Sequence, residues 1–173
     1  FPTGNSGGDA DHYLRHGALI AERFVIKFDV SSIPASSTVT GTTLTGYCSL
    51  NGANADKQAD LYQILRNWVE AEVTWTAWSS GNNWTTVGAE STGNDRSATS
   101  VANVADGAFD AGAAEDWVFN GDGLTLVQGW VSGGINNYGV LCKQAEGDDV
   151  AYVGVASSDN GAAGNRPKLT VVY

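Results

Sequence analysis

The chain has 173 residues, enough for one domain that buries roughly two thirds of its unfolded surface, so a single fold unit over residues 1–173 is sought. Its 22 glycines, its abundant Ser, Thr, Ala and Asn and its few long helix-forming residues exclude a helical bundle and point to an exported all-β protein. Nine basic residues against nineteen acidic ones give a formal charge of -10, which repels nucleic acid and anionic membrane and leaves neutral glycans, cations or other proteins as partners.

No apolar run reaches the roughly 18 residues of a membrane helix, and the first residues hold no basic-plus-apolar signal segment. A processed, extracellular or cell-surface protein is the expectation. Near the start, His12 and His16 have the spacing of two metal ligands on one helical face. Tyr13 stands where a zinc peptidase needs Glu, so metal ligation is not expected of them.

The first clear strand is Phe24-Val-Ile-Lys-Phe-Asp-Val30, with Phe24, Ile26, Phe28 and Val30 on one face and Lys27 and Asp29 on the other. Pro34 ends it in a Ser-rich turn, because proline offers no ladder donor. Strands then follow at 38–50, 59–65 and 71–76. In the first of these the inward set is Leu44, Gly46, Cys48 and Leu50. Glu70 and Glu72 would share one side of the strand entry at 71–76, too close together for opposed acid and nucleophile work, so they read as surface charge.

Residues 77–123 are polar and rich in Gly, Ser, Ala and Asn, and they hold either one or two edge strands or an elaborated loop. Trp78, Trp84 and Trp117 lie here, whereas Trp68, Trp75 and Trp130 lie in patterned segments and read as core. Exposed indoles stack on sugar rings, so the three middle tryptophans, with Asn82, Asn83 and Asp116 for hydroxyl groups, form a candidate glycan platform. The duller account is that the rings pin a loop to the sandwich. Asn83-Trp84-Thr85 is also an N-glycosylation sequon.

Apolar spacings of three and four at Leu124, Val127 and Val131 predict a short helix over 124–131, stopped by Gly133-Gly134. The last strands are expected at 138–143, 150–156 and 168–173. Many short strands punctuated by Gly, Asn, Asp and Ser make a β-sandwich of two antiparallel sheets. Cys48 and Cys142 both point inward, and a disulfide between them would close a loop of about 95 residues for roughly 4 to 5 kcal/mol. The alternative is two buried thiols. Asp148 and Asp149, beside Glu146, make a candidate structural calcium site, as do Asp9 with Asp11 and Asn120 with Asp122; no other cofactor is expected. There is no Gly-x-Ser-x-Gly elbow and no cysteine with a suitably placed histidine, so no residue is read as catalytic and an enzyme is not expected.

Four stretches carry a family likeness: Phe28-Asp-Val-Ser-Ser-Ile-Pro34, Trp68-Val-Glu-Ala-Glu-Val-Thr-Trp75, Leu126-Val-Gln-Gly-Trp130 with Asn137-Tyr-Gly139, and Arg166-Pro-Lys-Leu-Thr-Val-Val-Tyr173. In this order they cover most of the chain and resemble the DNRLRE domain, the disaggregatase-related module. The resemblance implies a jelly-roll sandwich from exported, cell-surface or polysaccharide-processing proteins, and some relatives are carbohydrate-binding modules, including alginate binders that use basic residues. The acidity of this chain departs from that last pattern, and its part before Asp11-His-Tyr-Leu-Arg15 is shorter than the family's usual extra strand.

The expected function is non-catalytic adhesion at a cell surface or matrix through neutral glycans. The alternative is a subunit of an extracellular filament. There a neighbour's amino-terminal segment, Phe1 to Asp9, would fill a sheet edge that lacks a strand.

Overall fold

A computed structural model describes residues 3–17, 20–52, 58–145 and 151–173, without the side chains of residues 16, 17, 20 and 151. It shows an all-β sandwich with one helix. The larger sheet has the order β12 (Lys168–Val172), β4 (Gly41–Gly52), β11 (Ala151–Ala156), β1 (Asp11–Gly17), β2 (Ile20–Glu22), with β9 (Ala114–Val118) also paired to β4. The smaller sheet runs β3 (Phe24–Ile26), β10 (Val140–Gln144), β5 (Ala59–Gln63), β8 (Ala102–Val104), and a two-stranded ribbon joins β6 (Ala77–Ser79) to β7 (Asn82–Asn83).

Period-two patterning builds the main core. Leu44 and Cys48 of β4, Val153 and Val155 of β11 and Leu14 of β1 face Leu61 of β5 and Val140 and Cys142 of β10. One part of the expected inward set is wrong: Leu50 is exposed. Gly154 pairs with Leu50 but Val155 with Cys48, so Ser49 is an extra residue on β4, and this bulge reverses the alternation beyond it.

The second core lies on the outer face of the smaller sheet, where Ile64, Trp68, Trp84, Ala89 and Leu141 cluster under the connection from β5 to β8. This explains why β10 is buried at all five positions: Val140 and Cys142 meet the sandwich core while Leu141 meets the covering loop.

Helix α1 (Gly121–Ser132) packs Leu126, Val127, Trp130 and Val131 into the main core. It begins three residues before the hydrophobic period does, because the Asn120 side chain accepts the N–H of Gly123. It stops at Gly133, which takes φ 76° and donates its N–H to Trp130 O, as the Gly-Gly pair predicts.

The expected strand at 71–76 is absent, since the segment forms turns. Thr74 Oγ1 accepts the N–H of both Thr76 and Ala77, and Thr74 N–H bonds to Ala77 O, so local side-chain bonding wins over the ladder. The strand expected over 24–30 shortens to Phe24–Ile26, although burial still alternates to Val30. Residues 77–123 contribute β6, β7, β8 and β9, more strand than the two edges expected.

The expected disulfide is not present in this structure: Cys48 on β4 of the larger sheet and Cys142 on β10 of the smaller one are both buried thiols in the main core.

Candidate functional site

The sandwich is open along one side. β1 pairs with β11 from Asp11 to His16, but β2 pairs with β1 only from Arg15 to Gly17, because at Arg23 the chain leaves the larger sheet to become β3 at the edge of the smaller one. The edge of Asp11–Leu14 is therefore left without a neighbouring strand among the described residues. Ser157 N–H donates to Ala10 O across the β1–β11 ladder, so Ala10, His12 and Leu14 direct their backbone groups at β11. The N–H and C=O groups of Asp11 and Tyr13 point the other way, into a groove.

This groove has a volume of about 880 Å³ and lies between β1, β3, the segment before β1 and the turns around Trp68, Trp75 and Gly88. A smaller cavity of about 470 Å³ continues it along β3 to Arg166 and Pro167; His12, Phe24, Val25, Trp68 and Glu70 line both. Asn5 ties the amino-terminal segment to the far wall, its amide donating to Glu70 O at 2.7 Å and Val73 O at 2.6 Å.

Aromatic and charged side chains alternate around the groove. Tyr13 is 40% exposed, Trp75 is half-buried, and Trp68 and Trp84 contribute little more than an edge. The Arg15 guanidinium sits 4.9 Å over the Tyr152 ring with Nε 3.2 Å from Glu22 Oε2. Arg23 covers Trp75 at 5.0 Å, and Gly88 abuts that ring so closely that a Cβ would lie 2.6 Å from it. His12 stacks on Phe24, with centroids 5.9 Å apart; burial holds its pKa below the ordinary value, although Asp9, Asp159, Glu70 and Asp11 pull it upward. A groove of this kind can stack an apolar face and hydrogen-bond hydroxyl or amine groups around it.

The expected tryptophan platform does not exist in this structure. Trp117 is 1% exposed: its ring fills the space over Gly46, where a Cβ would come within 2.9 Å, and Nε1 donates to Ala59 O at 3.0 Å. Trp84 is 6% exposed and donates Nε1 to Thr74 O at 3.0 Å within the covering loop, while its ring clusters with Leu141 of the smaller sheet. Trp78 is half-buried against the same second core. Asn82 and Asp116 are exposed but lie on different strands, Asn82 bonded to Ser79 and Ser80 and Asp116 accepting from Thr45 Oγ1 at 2.6 Å. Of the presumed core tryptophans, Trp68 and Trp130 are buried, while Trp75 is only half-buried.

Asn83 is exposed at the ribbon and Thr85 lies beside it at the surface, so the sequon is accessible. Glu72 accepts Ser80 N–H at 2.8 Å, and Glu70 lines the groove, so the two carboxylates serve different neighbours. Asn120 and Asp122 belong to the start of α1, where Asp122 accepts from Thr99 Oγ1. Asp148 and Asp149, the principal calcium candidates, lie outside the described residues, as does the side chain of His16. Among the described residues no three His, Cys, Asp or Glu side chains converge as a metal site.

Sequence reasoning missed Tyr13, Arg15, Glu22 and Arg23 because the groove is made by a strand that changes sheets, an event without a local signature. It also missed Glu90. That carboxylate takes Arg23 Nη1 at 2.5 Å, Arg96 Nη2 at 2.7 Å and Lys143 Nζ at 3.0 Å, beneath the groove wall.

The family model of the disaggregatase related repeat domain matches residues 9–171 of this chain. No curated protein matches it.

Proposed function

Because this chain belongs to the disaggregatase related repeat domain family, we propose that it is a non-catalytic extracellular binding domain that works in adhesion by holding a glycan in the groove beside β1. The observation that supports this reading is the groove's lining, in which an exposed Tyr13 and a half-buried Trp75 stand among Arg15, Glu22 and Glu70. Rings supply flat faces for sugar C–H groups, and the charged side chains supply hydrogen bonds around them. The partner is a surface or matrix glycan, with neither nucleic acid nor membrane insertion involved. The test is titration calorimetry with glycans selected on an array. Tyr13→Ala should weaken binding by about 1 kcal/mol, close to fivefold, with no change in melting temperature. Array binding that is indifferent to Tyr13 would remove the groove from the argument.

A second reading, a filament assembled by strand donation, is favoured by one observation: among the described residues no strand neighbours the outward backbone groups of Asp11 and Tyr13. Residues 1–9 of one subunit would lie along that edge in the next, exchanging the contacts that Asn5 makes within its own chain. Filaments seen by electron microscopy should then disappear when residues 1–9 are deleted, and also in Tyr13→Pro, which removes one outward N–H without touching the β11 ladder. A protein that is monomeric with and without those residues is no filament subunit.

A further inference from the structure

The groove beside β1 does not end at His12. Its volume of about 880 Å³ already lies near the top of the roughly 300–1,000 Å³ that one small ligand fills, and the cavity along β3 adds about 470 Å³. The two join at a waist where His12 stacks on Phe24 and where Trp68 and Glu70 line both sides. Flat faces stand on either side of it, the exposed Tyr13 in the first cavity and the half-buried Phe28 in the second. A ligand that meets both faces must be long enough to pass His12.

Charge around the two cavities is balanced. Asp9, Asp11, Glu22 and Glu70 line the first with Arg15 and Arg23. The second adds Lys27 and Arg166, so the described lining holds four carboxylates and four cations. The cations are engaged within the chain: Arg15 with Glu22, Arg23 with Glu90, Lys27 over the Trp68 ring at 5.5 Å, and Arg166 through Nε to Asn160 O at 2.9 Å. Burial holds His12 below its ordinary pKa, so it adds no charge at neutral pH. Along such a lining, what a polymer charged on every unit gains at one position it loses at the next. The outward N–H groups of Asp11 and Tyr13 donate into the groove and their C=O groups accept. A hydroxyl group answers both, whereas a carboxylate only accepts and an ammonium only donates.

Resting on the glycan reading above, we propose that the ligand is an uncharged polysaccharide held along its chain, with successive units laid through both cavities past His12. Tyr13 carries one stretch of that chain and Phe28 the other. The probes are the dimers through hexamers of glucose, mannose, xylose and N-acetylglucosamine chains, beside those of alginate and glucosamine, on an array and then in calorimetry. Neutral hexamers should bind and the charged hexamers should not, with affinity rising about tenfold from neutral dimer to hexamer. Ser158→Leu, at an exposed turn on the wall of the second cavity, should cut hexamer affinity about tenfold and leave the dimer unchanged, while Tyr13→Ala weakens both. Melting curves establish that each variant is folded. Equal affinity for dimer and hexamer, a hexamer indifferent to Ser158→Leu, or binding of the charged hexamers would overturn the inference and leave glycan binding standing. Absence of binding to every glycan on the array would remove the glycan reading as well, and a synthetic peptide of residues 1–9 bound in their place would assign the β1 wall to strand donation.

Discussion

Glu90 shows how much one residue can carry in a chain with so few cations. Burial alone would raise its pKa, but Arg96, Lys143 and Arg23 hold it down at about 2, below the 4.5 of an isolated glutamate. The sign follows from that direction. A carboxylate with a depressed folded-state pKa adds stability that is fully present above about 4.5 and is lost as pH falls from there toward about 2. The shift corresponds to about 3 kcal/mol. Glu90→Gln should therefore cost roughly 2 to 4 kcal/mol at neutral pH, because Arg23, Arg96 and Lys143, all with little exposure, lose the carboxylate that they share. Urea titrations at several pH values check this: wild type and variant should differ most at neutral pH and converge in acid. Asp95 acts similarly nearby. Burial pushes its pKa up, and the N–H groups of Thr86 and Thr85 with the Arg66 guanidinium bring it below the ordinary range. It fixes the covering loop from inside.

Elements whose ends are set locally could be read from the chain, and those set by a partner strand could not. Helix α1 belongs to the first kind, for Asn120 at its start and Gly133 at its end are ordinary capping residues. Asn120→Ala removes the bond to Gly123 N–H and another to Ser100 O, and should lower stability by about 1 kcal/mol in thermal or urea unfolding. Gly139 also has a local reason that only packing explains in full. Its φ is 77°, and a Cβ would strike the Ile26 carbonyl on β3. By contrast, the bulge at Ser49 arises from how β11 meets β4, so alternation predicted Leu44, Gly46 and Cys48 correctly and failed at Leu50. The turn at 71–76 was misread for a related reason: the Glu-Ala-Glu-Val-Thr-Trp run alternates like a strand, but its Thr74 hydroxyl captures the next backbone donors.

At the scale of the whole molecule the two cysteines separate what pattern can reach from what it cannot. Both were read as inward-facing, and both are buried. Whether two inward residues meet depends on which positions of the two sheets face each other, and in this structure both are thiols, Cys142 with its pKa raised well above the ordinary value by burial. The melting temperature should thus be unaffected by a strong reductant, and a thiol reagent should count two groups only after denaturation. A single melting curve that drops with reductant would restore the bridge.

The amino-acid order by itself determined the sandwich, because alternation of apolar residues forces each strand to bury one face, and it disclosed the helix with its stop at Gly133, though not its start at Asn120. It also disclosed the family, since the four framework stretches are local in sequence. Only the tertiary structure decided where a ligand could sit. The groove exists because β2 and β3 are one run of chain crossing between sheets at Arg23, which leaves the Asp11–Leu14 edge without a neighbour among the described strands and gathers carboxylates and rings from four stretches of chain. The tryptophans that looked free to bind were claimed by packing: the space over Gly46 and the underside of the covering loop were better places for Trp117 and Trp84 than water.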